Sequence, residues 1–153
     1  MTDEPALEIE RRIHATPTEV FRYLTDPDRY TRWMGGSAEL DPRPGGTYRV
    51  AVADGATARG RYVTVEPPKR VVFTWGWEGN AEVPPESTTV EITLIEDGDV
   101  TILRLRHSGL PDRAARRLHE QGWAMYLDRL PTVISSDQSS FTAASRRRPS
   151  RDT

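Results

Sequence analysis

Apolar and polar residues alternate over residues 6–13, with Leu7, Ile9, Arg11 and Ile13 on one parity and Glu8, Glu10 and Arg12 on the other. That period of two predicts a half-buried strand. The pattern breaks at Thr16-Pro17-Thr18-Glu19. Thr16 can cap a helix, Pro17 suits its first position and Glu19 completes a capping box. Val20, Phe21 and Leu24 supply the apolar stripe of that short helix. Asp26-Pro27 repeats the signal and predicts a second short helix through Trp33, stopped by Gly35-Gly36.

Period two then returns. A short strand is expected over 38–41, followed by a rigid turn at Pro42-Arg43-Pro44-Gly45-Gly46. Residues 47–53 form a strand with Tyr48, Val50 and Val52 on one face, and Asp54-Gly55 signals a hairpin. Residues 58–65 follow, with Arg61 on the parity of Val63 and Val65 and so directed inward, then a turn at Glu66-Pro67-Pro68-Lys69. Strand 70–77 places Val71, Phe73, Trp75 and Trp77 on one parity, and the polar stretch 78–86 reads as a loop. Strand 88–95 turns Val90, Ile92 and Leu94 inward; strand 100–107, after Asp97-Gly98, does so with Leu103, Leu105 and His107. The outward Glu91 and Arg104 read as solvated cross-strand charges.

The last periodic segment runs from Pro111 to about Leu130, with Ala115, Leu118, Gly122, Tyr126 and Leu130 on one helical face. Pro131 lacks an amide hydrogen and crowds the turn before it, so the helix is expected to end or kink there. The order is strand, two helices, about six strands, then one long helix. An antiparallel meander has one face to cover, and one long amphipathic helix can cover it. The fold class is α+β, with 1–135 a single domain. Residues 136–153 contain only Phe141 as a large apolar residue and read as a disordered polar and basic tail. Its Arg146, Arg147, Arg148 and Arg151 suit a solvated tail better than a phosphate or membrane tether.

Composition removes several functions. The 153 residues carry a formal charge of −2, which does not suit a nucleic-acid binder. There is no cysteine, hence no disulfide, thiol nucleophile or Cys-ligated zinc. No apolar run reaches the ~18 residues of a membrane span, and the acidic N-terminus is not a secretory signal, so membrane insertion is not expected and a cytoplasmic location is. Phosphate loops, G-x-G-x-x-G and G-x-S-x-G are absent, as are metal-ligand spacings and inward carboxylate pairs. No cofactor or metal is expected.

Several segments, in order, resemble a known family. They are Thr16-Pro17-Thr18-Glu19-Val20-Phe21, Trp33, Asp41-Pro42-Arg43-Pro44-Gly45-Gly46, Gly60-Arg61-Tyr62-Val63-Thr64-Val65-Glu66-Pro67-Pro68 and Arg70-Val71-Val72-Phe73-Thr74-Trp75. His107-Ser108-Gly109-Leu110-Pro111 follows, then Gly122-Trp123 with Leu127-Asp128-Arg129-Leu130. The set resembles the START/SRPBCC helix-grip superfamily, and within it the bacterial relatives of the activator of the ninety-kilodalton heat-shock-protein ATPase. The resemblance implies a curved antiparallel sheet gripping the C-terminal helix, with a cavity for apolar or amphipathic molecules between them. Some relatives are aromatase/cyclase-type enzymes of polyketide assembly. The extra N-terminal chaperone-contacting domain of the activators is not in this chain, so chaperone activation is not expected.

The leading reading is therefore a small-molecule binding module holding an apolar or aromatic ligand. Its expected cavity is walled by Tyr48, Phe73, Trp75, Trp77 and Leu105, with Leu118, Gly122 and Tyr126 above and Trp33 at the mouth. His107 is the expected polar handle, although a lone inward histidine is more often a hydrogen-bonded core residue. Trp123 is expected at the helix edge, and His14 and His119 elsewhere. The alternatives are a cyclase- or hydrolase-type enzyme using His107 with Tyr48 or Tyr126, and a ligand-free interaction protein. A sheet edge would allow a homodimer, on which the pattern is otherwise silent.

Overall fold

The computed structural model describes residues 6–52 and 55–147. The elements in chain order are β1 (Leu7–Ile13), α1 (Pro17–Thr25), α2 (Pro27–Met34), β2 (Ser37–Leu40), β3 (Thr47–Ala51), β4 (Thr57–Glu66), β5 (Arg70–Trp75), β6 (Thr88–Asp97), β7 (Val100–Ser108) and α3 (Arg113–Arg147). The strands form one antiparallel sheet in the order β1-β7-β6-β5-β4-β3-β2. This is the antiparallel meander with one long helix that the periodicity predicts, in the helix-grip arrangement that the resemblance implies.

The two short helices start where their caps stand. The Thr16 side chain accepts from the Glu19 amide at 3.1 Å, and Asp26 accepts from the Asp28 amide at 3.1 Å. Gly36 has φ of +63°, and a Cβ there would lie 1.6 Å from the Ala51 carbonyl oxygen, so only glycine lets the chain enter β2 beside β3. Trp33 is wholly buried and its indole N–H donates to the Tyr23 carbonyl at 2.8 Å, which ties α2 to α1.

The inner face of the sheet carries the core. Tyr48 stacks on Phe73 at 4.1 Å, and Ile92, Leu103 and Leu105 are buried beside them. The outer face is a charge lattice: Glu10 pairs Arg104 and Glu91 pairs Arg70, both at 2.7 Å. Such exposed pairs each contribute little. Arg61 belongs to this outer face, on Glu86, against the sequence expectation. The register of β4 on β5 shifts between Tyr62 and Thr64. A bulge inserts one residue and inverts the parity beyond it. Ala58, Gly60 and Tyr62 therefore face inward before it, Val65 after it, and Val63 is turned out with 51% exposure.

α3 departs most from expectation. It continues through Pro131 to Arg147, so residues 136–147 are helical rather than a disordered tail; residues 148–153 lie outside those described. Pro131 removes one hydrogen bond to the Leu127 carbonyl. Burial of Leu130 and Ile134 on either side of it holds the helix on course. Beyond it, Asp137 accepts from the Tyr23 hydroxyl and from the Arg32 guanidinium, both at 2.5 Å. Burial and the Asp137 carboxylate push the Tyr23 hydroxyl up to about 12. Asp137→Ala is expected to lower stability by about 1–2 kcal/mol. Hydrogen exchange checks it: amides beyond Pro131 should exchange faster while those of residues 119–127 keep their protection.

Candidate functional site

A concavity of about 680 Å³ opens between the first half of α3 and the sheet end formed by Trp75, Trp77 and residues 78–83. That volume is within the range of small-molecule sites. Two other grooves, one over Glu8, Glu91, Arg104 and Arg106, the other between α1 and residues 136–138, are lined largely by charged side chains.

The wall of the concavity depends on Gly76. β5 ends at Trp75, and Trp77 makes an isolated bridge to Ala58. A Cβ on Gly76 would sit 1.7 Å from the Pro84 carbonyl oxygen, so a side chain there would push the returning loop away. The close approach lets the Trp77 amide donate to the Val83 carbonyl at 2.7 Å. The two indoles then meet edge to face at 5.1 Å. The loop is held by Asn80, whose side-chain oxygen accepts from the amides of Glu82 and Val83 at 2.8 and 2.9 Å.

α3 begins where Asp112 accepts from the Ala115 amide at 2.8 Å. Its stripe of Leu118, Gly122 and Tyr126 lines the concavity, and Tyr126, only 9% exposed, also packs on the core. Leu118 is 68% exposed and Met125, beside it, 48%. Nothing lies within 4 Å of a Cβ built on Gly122, so the glycine adjoins open space and not a close helix–strand contact. The stripe that packs inward is offset by about one residue and includes Trp123, Leu127, Leu130 and Ile134. Trp123 is thus a core residue of the helix, not an edge residue.

Of the residues expected to form one site, Trp75, Trp77, Leu118, Gly122 and Tyr126 come together on the concavity. Trp33, Tyr48, Phe73, Leu105 and His107 do not line it; each is at most 2% exposed and packed in the core. A connected cluster of Tyr30, Tyr48, Tyr62 and Phe73 fills the interior as far as Trp75, and the concavity lies beyond it. Pattern reading missed His119, Met34, Glu78, Gly79, Asn80, Glu82 and Val83 in the lining. His119 was legible, since it lies four residues after Ala115 and three before Gly122 on the predicted face.

His107 and His119 are locked in opposite tautomers. The Trp123 indole N–H donates to His107 Nδ1 at 3.0 Å, so His107 carries its proton on Nε2 and donates to the Thr88 hydroxyl at 2.8 Å. Thr88 in turn donates to the Trp75 carbonyl at 2.7 Å. The Trp77 indole N–H donates to His119 Nε2 at 2.9 Å, so His119 is protonated on Nδ1 and donates to the Ala115 carbonyl at 2.8 Å. Burial, with the neighbouring His119, pushes His107 down to about 3; burial also lowers His119, partly offset by the Ala115 carbonyl. Both imidazoles are neutral at pH 7 and neither has a free nitrogen. His107 is therefore a structural link between β6, β7 and α3, and is sealed from the concavity. Among the described residues no group of His, Asp and Glu is arranged to hold a metal ion, and no helix is long and apolar enough to cross a membrane.

Comparison with known proteins follows the same lines. Residues 14–135 match the family described as activator of Hsp90 ATPase homolog 1-like protein. No curated protein matches the chain. Among solved structures, CalU16 from Micromonospora echinospora is 32% identical, with a TM-score of 0.68 over 91% of this chain and 82% of that one. Protein MLL2253 from Mesorhizobium loti superposes with a TM-score of 0.78 at 23% identity, over 86% of this chain and 98% of that one. An HSP90 activator from Plasmodium falciparum does so with 0.71 at 21% identity, over 85% and 96%. The last two likenesses speak for the fold alone. With the family matched over most of the folded body and the helix-grip arrangement in place, this chain belongs to the activator of Hsp90 ATPase homolog 1-like family.

Proposed function

We propose that this chain is a small-molecule binding module, and that an apolar or aromatic ligand lies between α3 and the wall of Trp75 and Trp77. The observation that carries this reading is the apolar surface left in water at one concave place. Leu118 and Met125 are exposed opposite two indoles, with open space over Gly122. Covering such surface stabilises a complex by about 25 cal/mol per Å² before the costs of association. Chemistry by His107 has no support, because both its nitrogens are engaged and it is wholly buried.

A thermal-shift screen of lipids, polyketides and aromatic metabolites tests the proposal. A ligand at 100-fold its dissociation constant adds about 2.7 kcal/mol, or roughly 5–10 °C in Tm. The shift should disappear in Leu118→Gln and Tyr126→Ala. A cooperative melt that no compound moves would refute the proposal and point to a protein partner on the Leu118 and Met125 surface.

A further inference from the structure

The lining of this cavity has charge of one sign. Glu78, Glu82 and Asp112 contribute to it and no Arg or Lys does, although the chain has 21 such residues. Glu78 is engaged by Arg49 and Arg59 at 3.0 and 3.2 Å, which holds its carboxyl below the usual carboxylate range, the Arg49 hydrogen bond first. Asp112 is engaged by the Ala115 amide at the start of α3. Glu82 makes no ion pair among the described residues, and its amide is pinned by Asn80. Arg113, Arg116 and Arg117 of α3 stay outside the lining. His119 cannot become the missing cation without losing the Trp77 hydrogen bond.

The neighbouring surfaces are aromatic. Trp75, Trp77, Trp123 and Tyr126 all border the cavity. Aromatic faces carry negative charge density and attract cations, while they repel anions. Arg129 lies over the Tyr126 ring at 5.3 Å but outside the lining, so an anionic ligand set against Trp75 and Trp77 would meet Glu82 and the indole faces with no cation of the lining to receive it.

Resting on the binding reading above, we infer that the ligand is a planar aromatic cation whose ring lies against Trp75 and Trp77 and whose positive charge is met by Glu82. Three probes with the same three-ring outline separate charge from shape: 9-aminoacridine (a cation at pH 7), 9-anthracenemethanol (neutral) and anthracene-9-carboxylate (an anion). Isothermal calorimetry on the full chain should find the cation bound at least about tenfold tighter than the anion, with the neutral ring between them. Added salt should narrow the gap. Glu82→Gln should remove most of the preference and Glu82→Lys should reverse it, both with wild-type Tm because the side chain is exposed. Equal affinities, tighter binding of the anion, or a cation preference unchanged in both Glu82 variants would overturn the inference while leaving the cavity a binding site. Failure of all three probes would overturn both readings together.

Discussion

His107→Ala is expected to lower the stability of the fold by about 3–5 kcal/mol, a Tm loss of roughly 10–15 °C. The substitution removes the acceptor of the Trp123 indole N–H and the donor to Thr88 in a place with no exposure to water. It leaves a buried donor without a partner and a void the size of an imidazole. His107→Gln, which retains one donor and one acceptor, should lose less than half as much. Urea unfolding measures both. An alanine variant within 1 kcal/mol of wild type, on the scale of the net value of one hydrogen bond, would show that the network does not hold α3 to the sheet.

Acid should weaken the protein well before its carboxylates titrate. In the unfolded chain both imidazoles titrate near 6.5. In the folded chain His107 is held down to about 3 and His119 is lowered as well. Above pH 6.5 neither state carries the protons, and the contribution of the neutral rings is fully present. Below 6.5 the unfolded chain takes up protons that the native state refuses, so stability falls until His107 itself accepts one near pH 3. The expected loss from His107 between pH 7 and pH 5 is about 2 kcal/mol, with His119 adding in the same direction. Unfolding curves at those two pH values give the loss, and His107→Gln should make it shallower. A stability flat between pH 7 and pH 5 would contradict neutral, buried histidines.

Much of the fold was legible because it rests on local signals. Thr16 and Asp26 cap the helices that their neighbours predict, and the alternation in β6 and β7 names the right inward residues. The failures have physical causes. Arg61 was placed inward because a bulge at Val63 reverses parity, and a bulge leaves no mark in an alternating pattern. Pro131 signals an end or a kink because propensity is local, whereas Leu130, Ile134 and the Asp137 contacts with α1 and α2, which carry the helix past it, are tertiary.

The candidate site was half legible. α3 carries two apolar stripes about one residue apart, and periodicity cannot tell which meets the core and which meets space. The more regular stripe, Leu118, Gly122 and Tyr126, proved to be the cavity side. Strand parity correctly grouped Tyr48, Phe73, Trp75 and Trp77, but it does not say how far along the sheet the packing ends. It ends at Trp75, so Tyr48 and Phe73 lie within the core, Trp75 is its last buried ring and borders the cavity, and Trp77 is wall.

Gly122 allows the most direct test of the cavity as a ligand site. A side chain there enters open space, so Gly122→Leu should fill the cavity without displacing backbone and should fold at least as stably as wild type, glycine costing a helix about 1 kcal/mol. Calorimetric titration of wild type and Gly122→Leu with the neutral 9-anthracenemethanol is the decisive measurement. Binding by wild type and none by a fully folded Gly122→Leu is the predicted result; equal affinity in the two proteins would place the ligand elsewhere and contradict the account.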